Sequence, residues 1–254
     1  MNTVYLKGPW KKPFKAENTK KMDFYINNQN IVKVDMMYQN DYFRTSKCDE
    51  LKATALFLSY QTTDVSHIKP VQYDGNNGEE FNEYMKAMDE ALMSESKMEM
   101  IIIIPDKGTD LETIESQFSM EIMNSLIENS QSRKMDIYVP RFKIENLMPL
   151  NATIKELGST DMFNPNVADL SGISSKPLFV ADVRQKAIIE VNEFGTEAAA
   201  ATICTVVTCC VTCCYVPPEV IKIDRPFMFL LISKYHDQFP KRLIMFMGAV
   251  KHPN

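Results

Sequence analysis

Apolar residues in this chain gather into short, nearly continuous runs more often than into helical stripes, and that pattern predicts a sheet-rich fold. Phe24 to Ile26 and Ile31 to Met37 flank the turn-forming residues Asn27 to Asn30 and predict a strand pair, while Leu51 to Tyr60 and Met98 to Ile104 predict buried strands. Further strands are expected over Ile137 to Ile144, Leu178 to Val191, Val220 to Ile223, Phe227 to Ile232 and Leu243 to Val250. Helical spacing is clearest at Leu111, Ile114, Phe118, Ile122 and Leu126, which predict one amphipathic helix starting near Asp110. Long strands with few helices point to an α+β fold of mixed β-sheets, and no internal domain repeat appears.

Composition agrees with a globular chain: 254 residues, 45% hydrophobic and 24% charged, are enough for one sizeable core. No apolar run approaches the length of a membrane span. The net charge of -5 is local, because the segment from Gln61 to Lys97 alone holds eight acidic and three basic residues. Within it, Phe81, Met85, Met88 and Leu92 recur at helical spacing behind a cluster of acids, which suits a short amphipathic helix. A tolerated surface insertion, a gene-prediction error and a docking helix for a basic partner all fit this segment. Lys7, Lys11, Lys12, Lys15, Lys20 and Lys21 make a basic start, but the balanced remainder argues for a solvated face and against a nucleic-acid footprint.

Enzymatic signatures are missing from the sequence: there is no Gly-x-Ser-x-Gly elbow, Walker loop or dinucleotide fingerprint. His67, His236 and His252 lack ligand spacing. Of the six cysteines, only Cys48 stands apart; Cys204, Cys209, Cys210, Cys213 and Cys214 crowd together. A disulfide framework would spread them along the chain. Cys-x-x-C spacing can ligate zinc, yet V-T-C-C at Val207 to Cys210 repeats at Val211 to Cys214, and that duplication accounts for the spacing without a metal. No metal site and no cofactor is expected.

The stretch E-V-N-E-F-G-T-E-A-A-A-A-T, from Glu190 to Thr202, joins a predicted strand to a run of alanines. Alone it is also a strong helix former. As a strand it would send Thr196, Ala198, Ala200 and Thr202 to one face and Glu197, Ala199, Ala201 and Ile203 to the other. The only charge would then stay off the Thr196 face, and Gly195 would supply the backbone freedom of a pivot.

Taken with N-T-V-Y-L-K-G-P-W-K-K-P-F from Asn2, I-I-I-P-D-K-G from Ile102, P-R-F-K-I-E from Pro140, A-D-L-S-G-I-S from Ala168, D-R-P-F-M-F from Asp224 and M-G-A-V-K-H-P from Met247, this stretch resembles the serpin family almost from end to end. The resemblance implies an incomplete serpin domain over residues 1–254, interrupted by the acidic insertion at 61–97 and carrying a long exposed reactive-centre loop at 194–216. It implies a hinge at Glu193, Gly195, Thr196, Glu197, Ala198, Ala199, Ala200, Ala201 and Thr202. Family spacing from the hinge puts the scissile bond between Cys209 and Cys210, whereas counting back from Pro217-Pro218-Glu219 puts it between Cys214 and Tyr215. The implied function is a suicide-substrate inhibitor of serine proteases, with the loop cut and then inserted into a sheet. The alternative is a non-inhibitory binding or storage protein, or a decayed copy; Phe194, where the family usually carries a charge, counts toward it.

A small, weakly apolar residue at Cys209 suits an elastase-like or chymotrypsin-like protease better than a trypsin-like one. The chain begins inside a strand of the family's main sheet, so it is expected to be a fragment with exposed apolar faces that self-associates. Asn151-Ala-Thr153 is a glycosylation sequon that favours an extracellular parent protein, with a cytoplasmic location as the alternative. No membrane or nucleic-acid partner is expected.

Overall fold

The computed structural model describes residues 2–5, 8–61, 97–196, 218–234 and 242–253. In chain order these form β1 (Asn2–Tyr5), β2 (Gly8–Pro9), β3 (Lys20–Tyr25), β4 (Ile31–Cys48), β5 (Ala53–Ser59) and β6 (Lys97–Pro105). Next come α1 (Leu111–Gln117), α2 (Met120–Glu128), β7 (Gln131–Pro140), β8 (Phe142–Pro149) and α3 (Asn151–Glu156). The remainder is β9 (Arg184–Val191), β10 (Gly195–Thr196), β11 (Glu219–Lys222), β12 (Phe227–Lys234) and β13 (Arg242–Val250). Two units result, Lys7–Phe142 with Val191–Asn254 and Met1–Leu6 with Lys143–Glu190. Sheet dominance with few helices is the expected α+β class.

The larger unit is built on an eight-stranded sheet in the order β11-β7-β4-β5-β6-β12-β13, with β3 beside β4. Its central strands are continuous apolar runs because both faces are covered. One face sends Ala53, Ala55, Phe57, Ile101, Ile103, Met228, Leu230 and Ile232 against Leu111 and Ile114 of α1 and Ile122, Met123, Leu126 and Ile127 of α2. The other buries Leu56, Ile102, Phe227 and Phe229, and Phe142 packs edge-on to Phe227 at 5.5 Å.

Several boundaries differ from the sequence expectation. The expected single helix is two, because Phe118 is extended and the Ser119 hydroxyl caps α2 by accepting from the Ile122 N–H at 3.3 Å. β4 does not stop at Met37; it continues to Cys48 by pairing in turn with β3, β7 and β5. Its polar middle is satisfied by Tyr38 and Asn40, which both donate to Asp136 Oδ1 at 2.8 and 2.6 Å. The run expected over Ile137 to Ile144 belongs to two strands separated at Arg141. The amphipathic acidic segment lies outside the described residues, although both ends of 61–97 join the sheet region: the Gln61 N–H donates to Pro9 O at 2.8 Å and Lys97 opens β6.

The smaller unit has a three-stranded sheet in the order β1-β9-β8. β1 and β9 are parallel and directly paired, Asn2 with Gln185 through Tyr5 with Ile188. Ion pairs Lys143–Glu190 at 3.5 Å and Lys186–Glu145 hold its polar face. β9 starts at Arg184 where a strand was expected from Leu178, because the preceding backbone is engaged elsewhere. The Val180 N–H donates to Met162 O, the Val183 N–H to Asn151 Oδ1, and Val183 O accepts from the Leu150 N–H. Asn151 opens α3, which the sequence pattern did not predict. Among the described residues no helix is long and apolar enough to cross a membrane.

Candidate functional site

β9 ends at Val191, and the next residues fold back on themselves. The Asn192 N–H donates to Gly195 O at 3.0 Å and the Gly195 N–H returns a bond to Asn192 O at 3.2 Å, closing a tight turn over Glu193 and Phe194. The Asn192 side chain reinforces it by accepting from the Phe194 N–H at 3.0 Å. The turn needs its glycine, since Gly195 has φ +125° and an added Cβ would lie 2.2 Å from Gly8 O and 2.7 Å from the Trp10 nitrogen. That approach lets Gly195 and Thr196 pair antiparallel with Pro9 and Gly8.

Trp10 grips the turn from one side. Its backbone N–H donates to Phe194 O and its indole Nε1–H to Asn192 O, both at 2.9 Å, while its ring packs on Tyr60 with centroids 4.4 Å apart. Gly8 lies under the same Tyr60 ring, 3.0 Å from where a Cβ would sit.

Glu193 is the buried charge of the site, 2% exposed. Its Oε1 accepts from the Thr19 hydroxyl at 2.6 Å, its Oε2 faces Arg141 Nη2 at 2.9 Å, and its carbonyl accepts from the Phe14 N–H at 2.8 Å. Oε2 makes no hydrogen bond of good geometry, so the guanidinium meets it as a charge. A carboxylate withdrawn from water needs such compensation. The arrangement holds the segment from Asn192 to Gly195 against Trp10, Phe14, Thr19 and Arg141 through these contacts.

Of the sequence-derived hinge residues, Glu193, Gly195 and Thr196 come together here with Trp10. Glu197, Ala198, Ala199, Ala200, Ala201 and Thr202 lie outside the described residues, as do both candidate bonds, Cys209–Cys210 and Cys214–Tyr215. Thr19, Tyr60 and Arg141 were not singled out from the sequence. Arg141 sits inside P-R-F-K-I-E, but nothing local marks its partner, which is 52 positions away. Asn151 is half-buried, with Nδ2 donating to Ala181 O at 3.1 Å. Cys48 is a free thiol, and among the described residues no cluster of His, Cys, Asp and Glu is placed to hold a metal ion.

A family model described as Serpin (serine protease inhibitor) matches residues 1–94 and 82–253. Leukocyte elastase inhibitor A of Rattus norvegicus is 32% identical over 260 residues, spanning 100% of this chain and 58% of its own length. The crystal structure of mouse protein-Z dependent protease inhibitor aligns with a TM-score of 0.69 at 25% identity, over 99% of this chain and 54% of that one. Human thyroxine-binding globulin, crystallised with its ligand, aligns at 0.70 over 99% of this chain and 55% of that one; at 24% identity the likeness is one of fold alone. The chain thus spans little more than half the length of the proteins it matches.

Proposed function

The chain belongs to the serpin family, and from that premise we propose that the whole protein inhibits serine-type endopeptidases as a suicide substrate. One observation carries the reading: the hinge turn follows directly on β9, the strand paired in parallel with β1. A loop cut beyond Thr196 would remain continuous with β9 and could enter the sheet by parting the β1–β9 ladder. Chemically, the protease serine attacks the Cys209 carbonyl, the Cys209–Cys210 bond breaks, Cys210 leaves as a new amino terminus, and Cys209 is left as the acyl-enzyme ester. Insertion of Thr196 to Thr202 then carries the attached enzyme away and deforms it before water can release it. No cofactor takes part.

An elastase-like or chymotrypsin-like target is favoured by the small residue at Cys209 and by the name of the rat relative. The whole protein, incubated with pancreatic elastase or chymotrypsin, should give a covalent complex that survives denaturing electrophoresis. Cleaved loop without complex would favour the second reading, a non-inhibitory binding or storage protein on the same fold. Phe194 supports that second reading, standing where the family usually carries a charge.

Self-association of the chain is supported by β13, an end strand of its sheet with Leu243, Met245 and Met247 exposed. An extracellular location rests on the Asn151 sequon, and a mass decrease on glycosidase treatment would support it. No decrease would favour the cytoplasmic alternative.

A further inference from the structure

The outward face of the β4, β7 and β11 ladder carries side chains that are held in place yet open to water. Register puts Tyr38 beside Tyr138 and Lys222, Asn40 beside Asp136 and Val220, and Tyr42 beside Lys134. The alternate residues Met135, Ile137, Val139 and Ile221 are buried on the opposite face. Of the outward set, Tyr42 and Val220 are 62% and 56% exposed, Asn40 and Lys134 are exposed, and the others are half-buried.

This face is organised before any partner arrives. Tyr38 and Tyr138 pack with ring centroids 5.0 Å apart, and Lys222 Nζ sits 5.4 Å over the Tyr138 ring. Asp136, the only carboxylate of the set, is engaged by the Tyr38 hydroxyl and the Asn40 amide, which both donate to its Oδ1. Lys134 and Lys222 have no carboxylate partner among the described residues. Rigid tyrosines beside unmatched cations suit a protein contact, since tyrosine offers contact area at little conformational cost.

The position of the face selects the partner. Its β4 side reaches the hinge, because Tyr42 lines one groove with Trp10, whose N–H donates to Phe194 O. Its β11 side is where the segment 197–217 rejoins the sheet, through Pro218 at Glu219. Cys210 is nine positions before Glu219, at most about 30 Å of chain. A protease domain of roughly 240 residues has a radius of gyration of about 18 Å. An enzyme closed on the Cys209–Cys210 bond is thus held within reach of a surface that lies between the two ends of its bait.

We propose that the face formed by Tyr42, Lys134, Tyr138, Val220 and Lys222 is a second contact surface for the protease that cuts the loop, and that it favours enzymes with an acidic rim beside the cleft. Such docking rests on the reactive-loop reading above and adds to it a determinant of target choice outside the loop. The tyrosines and Val220 supply preorganised apolar contact, and the two lysines raise the rate of encounter with an anionic enzyme.

Chymotrypsin and chymotrypsin with succinylated surface amines, which is anionic, are each mixed with the full chain at low salt, their activities normalised on a small peptide substrate. The rate of cutting within 197–217, followed by mass spectrometry, reads docking whether or not the enzyme is trapped, and the yield of covalent complex reads inhibition separately. The net charge of -5 on the chain would by itself repel the anionic enzyme, so faster cutting reports the local face. The succinylated enzyme should cut at least about threefold faster than the native one, and Lys134→Glu combined with Lys222→Glu should abolish that advantage. Tyr42→Ala should slow both enzymes about fivefold. Lys176→Glu, at an exposed lysine of the smaller unit, should change neither rate. An unchanged circular dichroism spectrum checks that each variant folds. Equal normalised rates for the two enzymes, an advantage that survives the paired lysine change, or the same loss in Lys176→Glu would each overturn the docking face. Cutting without a covalent complex would count against the inhibitory reading instead, with the rate comparison still deciding the docking.

Discussion

Arg141 and Glu193 pair a half-exposed cation with a buried carboxylate: Nη2 and Oε2 are 2.9 Å apart, and the side chains are 46% and 3% exposed. The asymmetry gives the pair a direction. Removing the arginine strands a buried charge, whereas removing the glutamate leaves a guanidinium that can turn to water. Arg141→Ala should therefore destabilise the larger unit by about 3 kcal/mol, and Glu193→Ala by only about 1 to 2 kcal/mol. The double variant should be no worse than Arg141→Ala alone. Urea unfolding followed by Trp10 fluorescence measures all three, and equal losses for the two single changes would contradict the direction.

Gly195→Ala tests the turn. At φ +125° the new methyl would meet Gly8 O, the Trp10 nitrogen and Pro9 Cα within 2.8 Å, all of them backbone atoms. Backbone cannot yield as a flexible side-chain end can, so the β10–β2 pair should open at a cost of about 2 kcal/mol or more. Hydrogen exchange at the Trp10 amide, which donates to Phe194 O, should accelerate. Unchanged protection there would mean the turn tolerates a Cβ.

What the sequence made legible follows the physics of each element. The interior strands β5, β6 and β12 are continuous apolar runs buried on both faces, so the run of residues itself marks their positions. The apolar pattern ends β4 too early because its middle, Gln39 to Asp41, is polar and becomes strand only once Asp136 and Lys12 answer it from distant positions. The helix pattern was right in phase but blind to Ser119, whose cap interrupts the backbone without interrupting the apolar stripe. In the turn after β9, Gly195 is marked by its residue type. Arg141 and Thr19 are not, since a charge pair closed across the fold leaves no periodic trace.

The smaller unit offers a pH test at Glu145. Its carboxyl is held below the ordinary carboxylate value first by the hydrogen bond from Lys186, then by the charge of Lys186 and more weakly that of Lys143. A depressed folded value means that the contribution is present above the unfolded value, about 4.3, and is lost as pH falls through the lower folded one. Lys186→Met should move the Glu145 titration, followed by NMR, back toward its ordinary value. It should also flatten the loss of stability on the acid side. A Glu145 titration that does not move would exclude Lys186 as the cause.

Thr196→Arg tests the proposed inhibitory mechanism at its first step. Backbone pairing already commits Thr196 to an extended conformation opposite Gly8, and continuing that alternation into a sheet puts Thr196 and Ala198 on one face and Glu197 on the other. An arginine at Thr196 would have to be desolvated before new ladder bonds offset the cost, which is several kcal/mol for an unpaired charge. Insertion should stall, and the acyl-enzyme should hydrolyse instead. The whole protein carrying Thr196→Arg should then yield at least about tenfold less covalent complex with elastase and correspondingly more cleaved loop, since a delay of about 1.4 kcal/mol already shifts the partition tenfold. Glu197→Arg, on the opposite face, should retain the complex, which separates a facing effect from a mere charge effect. Mass spectrometry of the cleaved product should locate the cut between Cys209 and Cys210; a cut at Cys214–Tyr215 would shift the reactive bond toward the far end of the loop. Wild-type yield of complex from Thr196→Arg would remove Thr196 from the inserting face and with it the hinge assignment.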